Sequence, residues 1–424
     1  MNKASTSMRQ LSHQALVTLI VWSGLILISR TATATTYYVS TTGNDANSCT
    51  QAQNMSAPKR TIAAGLTCVR ASDTLYLRAG TYAESIDSNA RIIPTGTSWS
   101  DAPKIGAYPG ESVSLGHMNL AAPSGAGQSS IQYVIFDGLR FINNTTTSDT
   151  VAFWGAATHI RIQNSDVSGA KNAHSGINTK PGPGGSGDVQ IINTKVHNNG
   201  DCSVSCTSGT VGHGLYISTS NNLFDHLESY DNGHLGLQIY YQQTTPAPSN
   251  NVVRNSRFHD NQKAYTTSGQ GIAVGVGDNN QLLNNLIYRN LGGINADYSG
   301  TNTKIYNNTI YANRDFGIRV GNTSGASVQN NIVYQNGTSI SNSGTGTTLA
   351  SNLTTDPKFQ NAGAFNFILQ AGSAAIDTGV SIGTVPNDFN GVLRPQGSTH
   401  DIGAYEYVSS LSPPSAPKNL RILE

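Results

Sequence analysis

Lys304-Ile305-Tyr306-Asn307, followed by Asn313 and then by Gly317-Ile318-Arg319-Val320, is one turn of a unit that this chain repeats. The same pattern places asparagine at Asn164, Asn193, Asn255, Asn284 and Asn330, and His226 fills the one missing rung. Successive rungs lie 29, 33, 29, 29, 23 and 23 residues apart. A second ladder follows each rung by six residues, through Asn199, Asn232, Asn261, Asn290, Asn313 and Asn336. The rungs sit in apolar–polar alternations such as Val189-Gln190-Ile191-Ile192-Asn193, a strand periodicity. Repeats of this length built from strand and turn define a solenoid. A buried amide is costly alone but is satisfied when it stacks on the amides of neighbouring coils. The expected fold is therefore all-β, a single-stranded right-handed parallel β-helix, the hand following from the crossover rule.

A strand led by glycine completes each coil: Gly176-Ile177, Gly214-Leu215, Gly236-Leu237, Gly271-Ile272, Gly293-Ile294 and Gly317-Ile318. Period-two patterning sends Ile177 and Thr179, Leu215 and Ile217, and Leu237 and Ile239 inward. The residues between them form an outward column, Asn178, Tyr216, Gln238, Ala273, Asn295 and Arg319. A second column runs Lys180, Ser218, Tyr240, Gly275, Asp297 and Gly321. The 23-residue spacing is the bare coil, and longer gaps carry loops near 180–188, 200–212, 241–250 and 262–270. Loops on consecutive coils are expected to wall a groove.

Residues 1–34 read as a secretory signal peptide: Lys3 and Arg9 precede an apolar run, and Ala32-Thr33-Ala34 offers a cleavage site. Retention as an anchor is the competing reading of that segment, and no other stretch is apolar enough to span a bilayer. The expected location is secreted, extracellular or periplasmic, as a monomer. Residues 35–130 read as an N-terminal cap and first coils, with a short helix over Thr61–Arg70 closing the open end. Residues 131–346 are the repeat coils, 347–408 a C-terminal closing segment, and 409–424 a linker-like tail. Charged residues are only 12% of the chain and the net charge is +1, which argues against a nucleic-acid surface. The four cysteines suggest two disulfides after export, most simply Cys49–Cys68 and Cys202–Cys206, with a metal site the alternative for the second pair.

Both ends carry a resemblance. Tyr37, Gly43-Asn44-Asp45, Thr61-Ile62 and Leu77-Arg78-Ala79-Gly80-Thr81-Tyr82 open the chain in the manner of secreted β-helix proteins of the pectate-lyase-like superfamily. Asp356-Pro357-Lys358-Phe359 and Asp401-Ile402-Gly403-Ala404-Tyr405-Glu406 resemble their closing segment. The nearest resemblance is to family 9 polysaccharide lyases and uncharacterised relatives. It implies a calcium-binding aspartate cluster and a lysine that abstracts the proton beside the uronate carboxylate. Asp231 is the one acid in the matching stretch Ser229–Gln238, and Ala273 stands where the lysine is expected. Asp231 and Asp297 are thus the candidate calcium ligands, and the family's base is absent from its usual place. Gly212-His213-Gly214 resembles an element of polygalacturonases, without the paired carboxylates that hydrolysis needs.

The remaining chemistry is a set of His, Tyr and Lys residues on consecutive coils. Elimination without a metal needs a base, a donor to the leaving oxygen, and a cation beside the carboxylate. His213 or Lys180 is expected as base and Tyr216 or Tyr240 as acid, with His234 and Lys171 orienting or neutralising. Lys171, His174, Gln238, Tyr241, Lys263, Tyr265, Asn295 and Arg319 are expected to bind an acidic polysaccharide. The column His197, Tyr230, His259, Tyr288, Tyr311 and Tyr334 reads as structural, and Asp166, Lys195, Glu228 and Arg257 as a solvated salt-bridged face. The expected function is a lyase acting on a uronate-containing glycan; the alternatives are a non-catalytic carbohydrate-binding or adhesion solenoid and, third, a glycoside hydrolase.

Overall fold

In the computed structural model, a regular coil bends at three single residues that carry a positive φ, as at Asn279, Asn284 and Arg289. The structure describes residues 33–143, 148–181, 187–200, 212–241, 247–262 and 268–409. The segment 1–32, the tail beyond residue 409, Cys202, Cys206, Lys263 and Tyr265 lie outside the described residues. Among the described residues, the strands from Thr36–Val39 to Thr348–Ala350 wind as one right-handed parallel β-helix. Its three sheets contain 12, 10 and 10 strands, and every pairing within them is parallel. We call first the sheet containing Lys304–Tyr306, second that containing Phe316–Val320, and third that containing Thr309–Tyr311. The predicted register holds: Asn178 pairs with Tyr216, Tyr216 with Gln238, Gln238 with Ala273, Ala273 with Asn295 and Asn295 with Arg319. The inward residues Ile177, Thr179, Leu215, Ile217, Leu237 and Ile239 are fully buried.

The two asparagine ladders do different work. Asn199, Asn232, Asn261, Asn290, Asn313 and Asn336 form the internal stack, at the bend from third to second sheet. Asn261 Nδ2 donates to Asn290 Oδ1 at 3.0 Å and to the Ser229 carbonyl at 3.0 Å. Asn261 Oδ1 accepts from both the backbone N–H (3.3 Å) and the amide (3.0 Å) of Asn232. Each amide is thereby saturated without water. The first ladder corrects the reading of it as a buried stack. Asn164, Asn193, His226, Asn255, Asn284, Asn307 and Asn330 all have φ between 46° and 57° and form the corner between first and third sheets. Asparagine tolerates this left-handed conformation better than most side-chain-bearing residues. Asn164, Asn193 and His226 are exposed there, and only Asn284, Asn307 and Asn330 are covered. The buried stack at this corner lies one residue on, where Asn285, Asn308, Asn331 and Asn352 bond amide to amide at 2.9–3.0 Å.

Both ends are closed. The N-terminal helix is shorter than the sequence suggested, Ile62–Leu66. Thr61 caps it, the Glu84 carboxylate accepts from the N–H groups of Ile62 (2.8 Å) and Ala63 (3.0 Å), and the Cys49–Cys68 disulfide anchors its exit. Cys68 N–H and Val69 N–H turn back onto the carbonyls of Gly65 and Leu66 and stop it there. At the other end, residues 380–406 fold back along the first–third corner. Asn284 Nδ2 donates to the Asn387 carbonyl at 2.7 Å, Asn307 Nδ2 to that of Asp401 at 3.0 Å, and Asn330 Nδ2 to that of Val380 at 2.7 Å. Arg394 fixes this segment through Glu406 (2.6 Å), both side chains fully enclosed. On the third sheet, His197, Tyr230, His259 and Tyr288 stack ring on ring at centroid spacings of 4.8, 5.2 and 4.8 Å. This column is structural, as its periodicity implied.

Asn261→Ala should lower stability by about 2–4 kcal/mol, because the Asn232 amide loses its acceptor inside the core. Asn193→Gly at the exposed corner should change it by less than about 1 kcal/mol, since glycine takes the left-handed conformation freely. Chemical denaturation of the two variants checks the contrast; equal losses would contradict the division between the ladders.

Candidate active site

The outward face of the second sheet carries the site. Glycine precedes its strands because the ladder packs against their backbone. A Cβ on Gly214 would lie 2.5 Å from the Gly236 carbonyl oxygen and 2.7 Å from the Asn232 amide. Gly212-His213-Gly214 thus follows from the coil's own geometry, whatever His213 does.

His213 is enclosed. The Leu235 N–H donates to its Nδ1 at 3.4 Å, which leaves the ring proton on Nε2. Its ring lies 4.9 Å from that of His234 and 5.6 Å from that of Tyr216. Burial, and then the neighbouring His234, hold its pKa well below the usual histidine value. His234 stands one coil on, half-buried, with Nε2 2.5 Å from Ser268 Oγ. Desolvation brings its pKa down to about 4, so it is uncharged at neutral pH. That corrects the expectation that His234 neutralises a carboxylate by its own charge. The Tyr216 hydroxyl is pushed up by burial, then by Tyr240, and stays protonated. Tyr240 packs on Tyr298 at 5.6 Å. His234, Gln238, Ser268, Asn295, Asp297 and Tyr298 line a cavity of about 190 Å³. Asn295 Oδ1 is buried in this wall with no hydrogen-bond partner.

A second cluster lies toward the N-terminal coils. Lys180 Nζ sits 4.2 Å above the centre of the Trp154 ring. Asp149 accepts from the Ser175 N–H (2.6 Å) and from Asn178 Nδ2 (2.9 Å), and lies 3.9 Å from His174 Nδ1. Burial raises the Asp149 pKa against these bonds and the nearby His174 and Lys180. Lys171 contributes its carbonyl to the His174 N–H at 3.1 Å. Tyr241 follows Tyr240 at the edge of the face. Arg319 lies between Asn295 and Ser341 in the first outward column, its guanidinium 4.0 Å over the Phe316 ring. The sequence reading missed Asp149, Trp154, Ser268 and Tyr298. Asp149 and Trp154 were recoverable, because Val151 pairs with Ile177, but Thr150 replaces the glycine that marks other coils. Ser268 and Tyr298 are brought in by turns that have no repeat.

The calcium candidates do not meet. Asp231 follows the third-sheet strand Glu228–Tyr230, whereas Asp297 follows the second-sheet strand Gly292–Ala296. Asp297 Oδ1 accepts the N–H groups of Tyr298 (2.8 Å) and Asn322 (3.0 Å). Among the described residues, no three His, Cys, Asp or Glu side chains converge to hold a metal. The described residues do not make the calcium set that the resemblance implied.

Residues 205–355 match a family model described as the right handed beta helix region. The solved structure of pectate lyase Pel9A superposes with a TM-score of 0.64 at 16% identity, covering 88% of this chain and 97% of that one. A rhamnogalacturonan lyase aligns with a TM-score of 0.47 at 14% identity over 76% of this chain and 87% of its own. An alginate lyase from Paenibacillus sp. str. FPU-7 does so at 0.42 and 16%, over 70% and 95%. No curated protein matches the sequence. The chain therefore has the right-handed, pectate-lyase-like β-helix fold.

Burial of neutral histidine gives a signed pH effect. Below the unfolded value near 6.5, the unfolded chain takes up a proton that folded His234 refuses until about 4. Stability should fall as pH drops through that window, by up to about 3 kcal/mol from His234. The His234→Gln variant should show a flatter decline of Tm between pH 6.5 and 4; an unchanged slope would contradict the burial.

Proposed function

We propose that the second-sheet groove binds a uronate-containing polysaccharide and cleaves it by β-elimination. The observation that carries this reading is the grouping of His234, Tyr216, Gln238 and Asn295 on adjoining coils. Uncharged His234 faces a cavity whose wall holds an unpartnered amide oxygen, and the protonated Tyr216 phenol lies beside His213 on the preceding coil. Docking a carboxylate beside His234 raises its basicity, since an anion favours the imidazolium. His234 then takes the proton next to the uronate carboxylate. The bond to the leaving oxygen breaks, Tyr216 supplies that oxygen's proton, and a carbon–carbon double bond remains in the sugar. The Gln238 side-chain N–H orients the carboxylate, and Asn295 Oδ1 accepts from a sugar hydroxyl. Lys180 and Arg319, on either side of this group along the face, attract the polyanion. Enclosed His213 orients His234 and Tyr216 rather than reaching substrate, and Lys180 is the base if His234 only positions. The resemblance to lyase structures supports the substrate class. A non-catalytic glycan-binding solenoid is the second reading, favoured by the missing family acids and lysine.

Ultraviolet absorbance on incubation with pectate, alginate and glycosaminoglycans, each with calcium and with chelator, tests this. We expect a rise that survives chelation on at least one substrate. On that substrate Tyr216→Phe should lower kcat by about 10²–10⁴-fold with little change in KM, while Lys180→Ala should mainly raise KM. No absorbance on any polymer would overturn the lyase and leave the binding solenoid.

A further inference from the structure

The corner between first and third sheets is concave, and the chain fills only part of it. Residues 380–406 occupy it over Asn284, Asn307 and Asn330. Over the earlier coils it stays open as a cavity of about 420 Å³ lined by Arg140, Asp166, Lys195, Glu228 and Arg257 beside the exposed corner asparagines. It continues into a space of about 600 Å³ under residues 384–391, with His226, Asn255 and Arg257 common to both.

The side chains change character where the cover ends. One outward column of the third sheet runs Arg140, Asp166, Lys195, Glu228, Arg257 and then Leu286, Thr309, Ile332, each paired with the next. Leu286 and Ile332 pack against Ile402, Ala404 and Tyr405 of the covering segment. A polypeptide in this corner thus goes with an apolar floor. The open stretch offers none, since Leu139 and Leu227, its apolar lining, are enclosed. Its floor suits a polar chain instead.

The charges there alternate with the coils. Arg140, Lys195 and Arg257 are exposed and recur at every second coil, a repeat of about 10 Å. Arg257 lies over the Phe389 ring at 4.6 Å, which fixes its position at the covered end. The acids between them are held from behind by histidines, and Glu228 Oε2 also lies 3.4 Å from Lys195 Nζ, so a ligand anion would share that cation. Asp166 Oδ2 pairs with His197 Nε2 at 3.0 Å, and Glu228 Oε1 with His259 Nε2 at 3.4 Å. Asp166 Oδ1 is buried with no hydrogen-bond partner, an acceptor that calls for a donor. A pyranose unit in an extended chain advances by roughly one coil step of about 4.8 Å. A fitting ligand is anionic at every second unit and presents hydroxyl or amide donors at the units between.

We propose that this open corner is a second glycan-binding groove, selective for a polysaccharide with an alternating acidic–neutral disaccharide repeat. The glycan class rests on the polysaccharide reading above; the groove itself does not use the second-sheet residues. The two faces of the solenoid would then grip different parts of one polymer.

The test is calorimetric titration with three oligosaccharides of equal length: hyaluronan, oligogalacturonate and a neutral cello-oligosaccharide. The hyaluronan fragment, charged on alternate sugars, should bind at least about 10-fold more tightly than the other two. Arg140→Ala with Lys195→Ala should weaken it at least about 10-fold at unchanged Tm, and Tyr216→Phe should leave it within about 2-fold. No binding to the parent protein, equal binding of the three, or loss in Tyr216→Phe but not in the double variant would each overturn the proposal. Binding that persists in a protein without lyase activity would sink the catalytic reading alone.

Discussion

The bend from third to second sheet, from Asn199 to Asn336, depends on amides that cannot be satisfied within their own coils. Asn261 needs Asn290 ahead and Asn232 behind, and so on along the ladder. A side-chain amide left unpaired in the core costs about as much as one or two hydrogen bonds are worth, so coils are stable only in company. The constraint fixes register as well as stability. A strand slipped by one residue would put Tyr216 where Ile217 belongs and move Asn232 out of line with both neighbours. Gly176, Gly214, Gly236, Gly271 and Gly317 obey the same constraint, for a Cβ there would press on the stacked amides.

The candidate face is the outer side of this lattice. Because the inner side is fixed by packing, each coil contributes two outward side chains at a nearly constant rise, and chemistry is written in columns. His213 illustrates the cost of proximity to the core. It arrives beside His234 and Tyr216, as the chain order implies, yet its Nδ1 is spent on a backbone N–H. His234, one coil later, keeps a cavity in front of it. Burial rather than a neighbouring charge sets its protonation, which is why a positive imidazole is not available there until an anion arrives.

Much of this was legible in the sequence, for physical reasons. The repeat made the register between Asn178, Tyr216, Gln238, Ala273, Asn295 and Arg319 readable without coordinates, and the aromatic column on the third sheet announced itself by recurrence. The first asparagine ladder misled, because the residue a left-handed corner prefers is also the residue an internal stack prefers. The doublets Asn284-Asn285, Asn307-Asn308 and Asn330-Asn331 hold one of each kind. Asp149 escaped notice because Thr150 breaks the glycine signature, and Ser268 because turn residues carry no period. The calcium candidates failed for a related reason: Asp231 and Asp297 occupy different bends, and linear spacing says little about which bend a residue turns.

The segment that fills the corner carries a consequence for how the chain is made. Leu283, Leu286, Tyr306 and Ile332 face outward on coils completed well before residues 382–405 leave the ribosome. During that interval the newest coils present an oily strip and an open strand edge at the same place, the combination that invites association between nascent chains. This later segment thus shields what the earlier coils leave bare, and a chain truncated before residue 380 would be a solenoid that is wound correctly and sticky along one side.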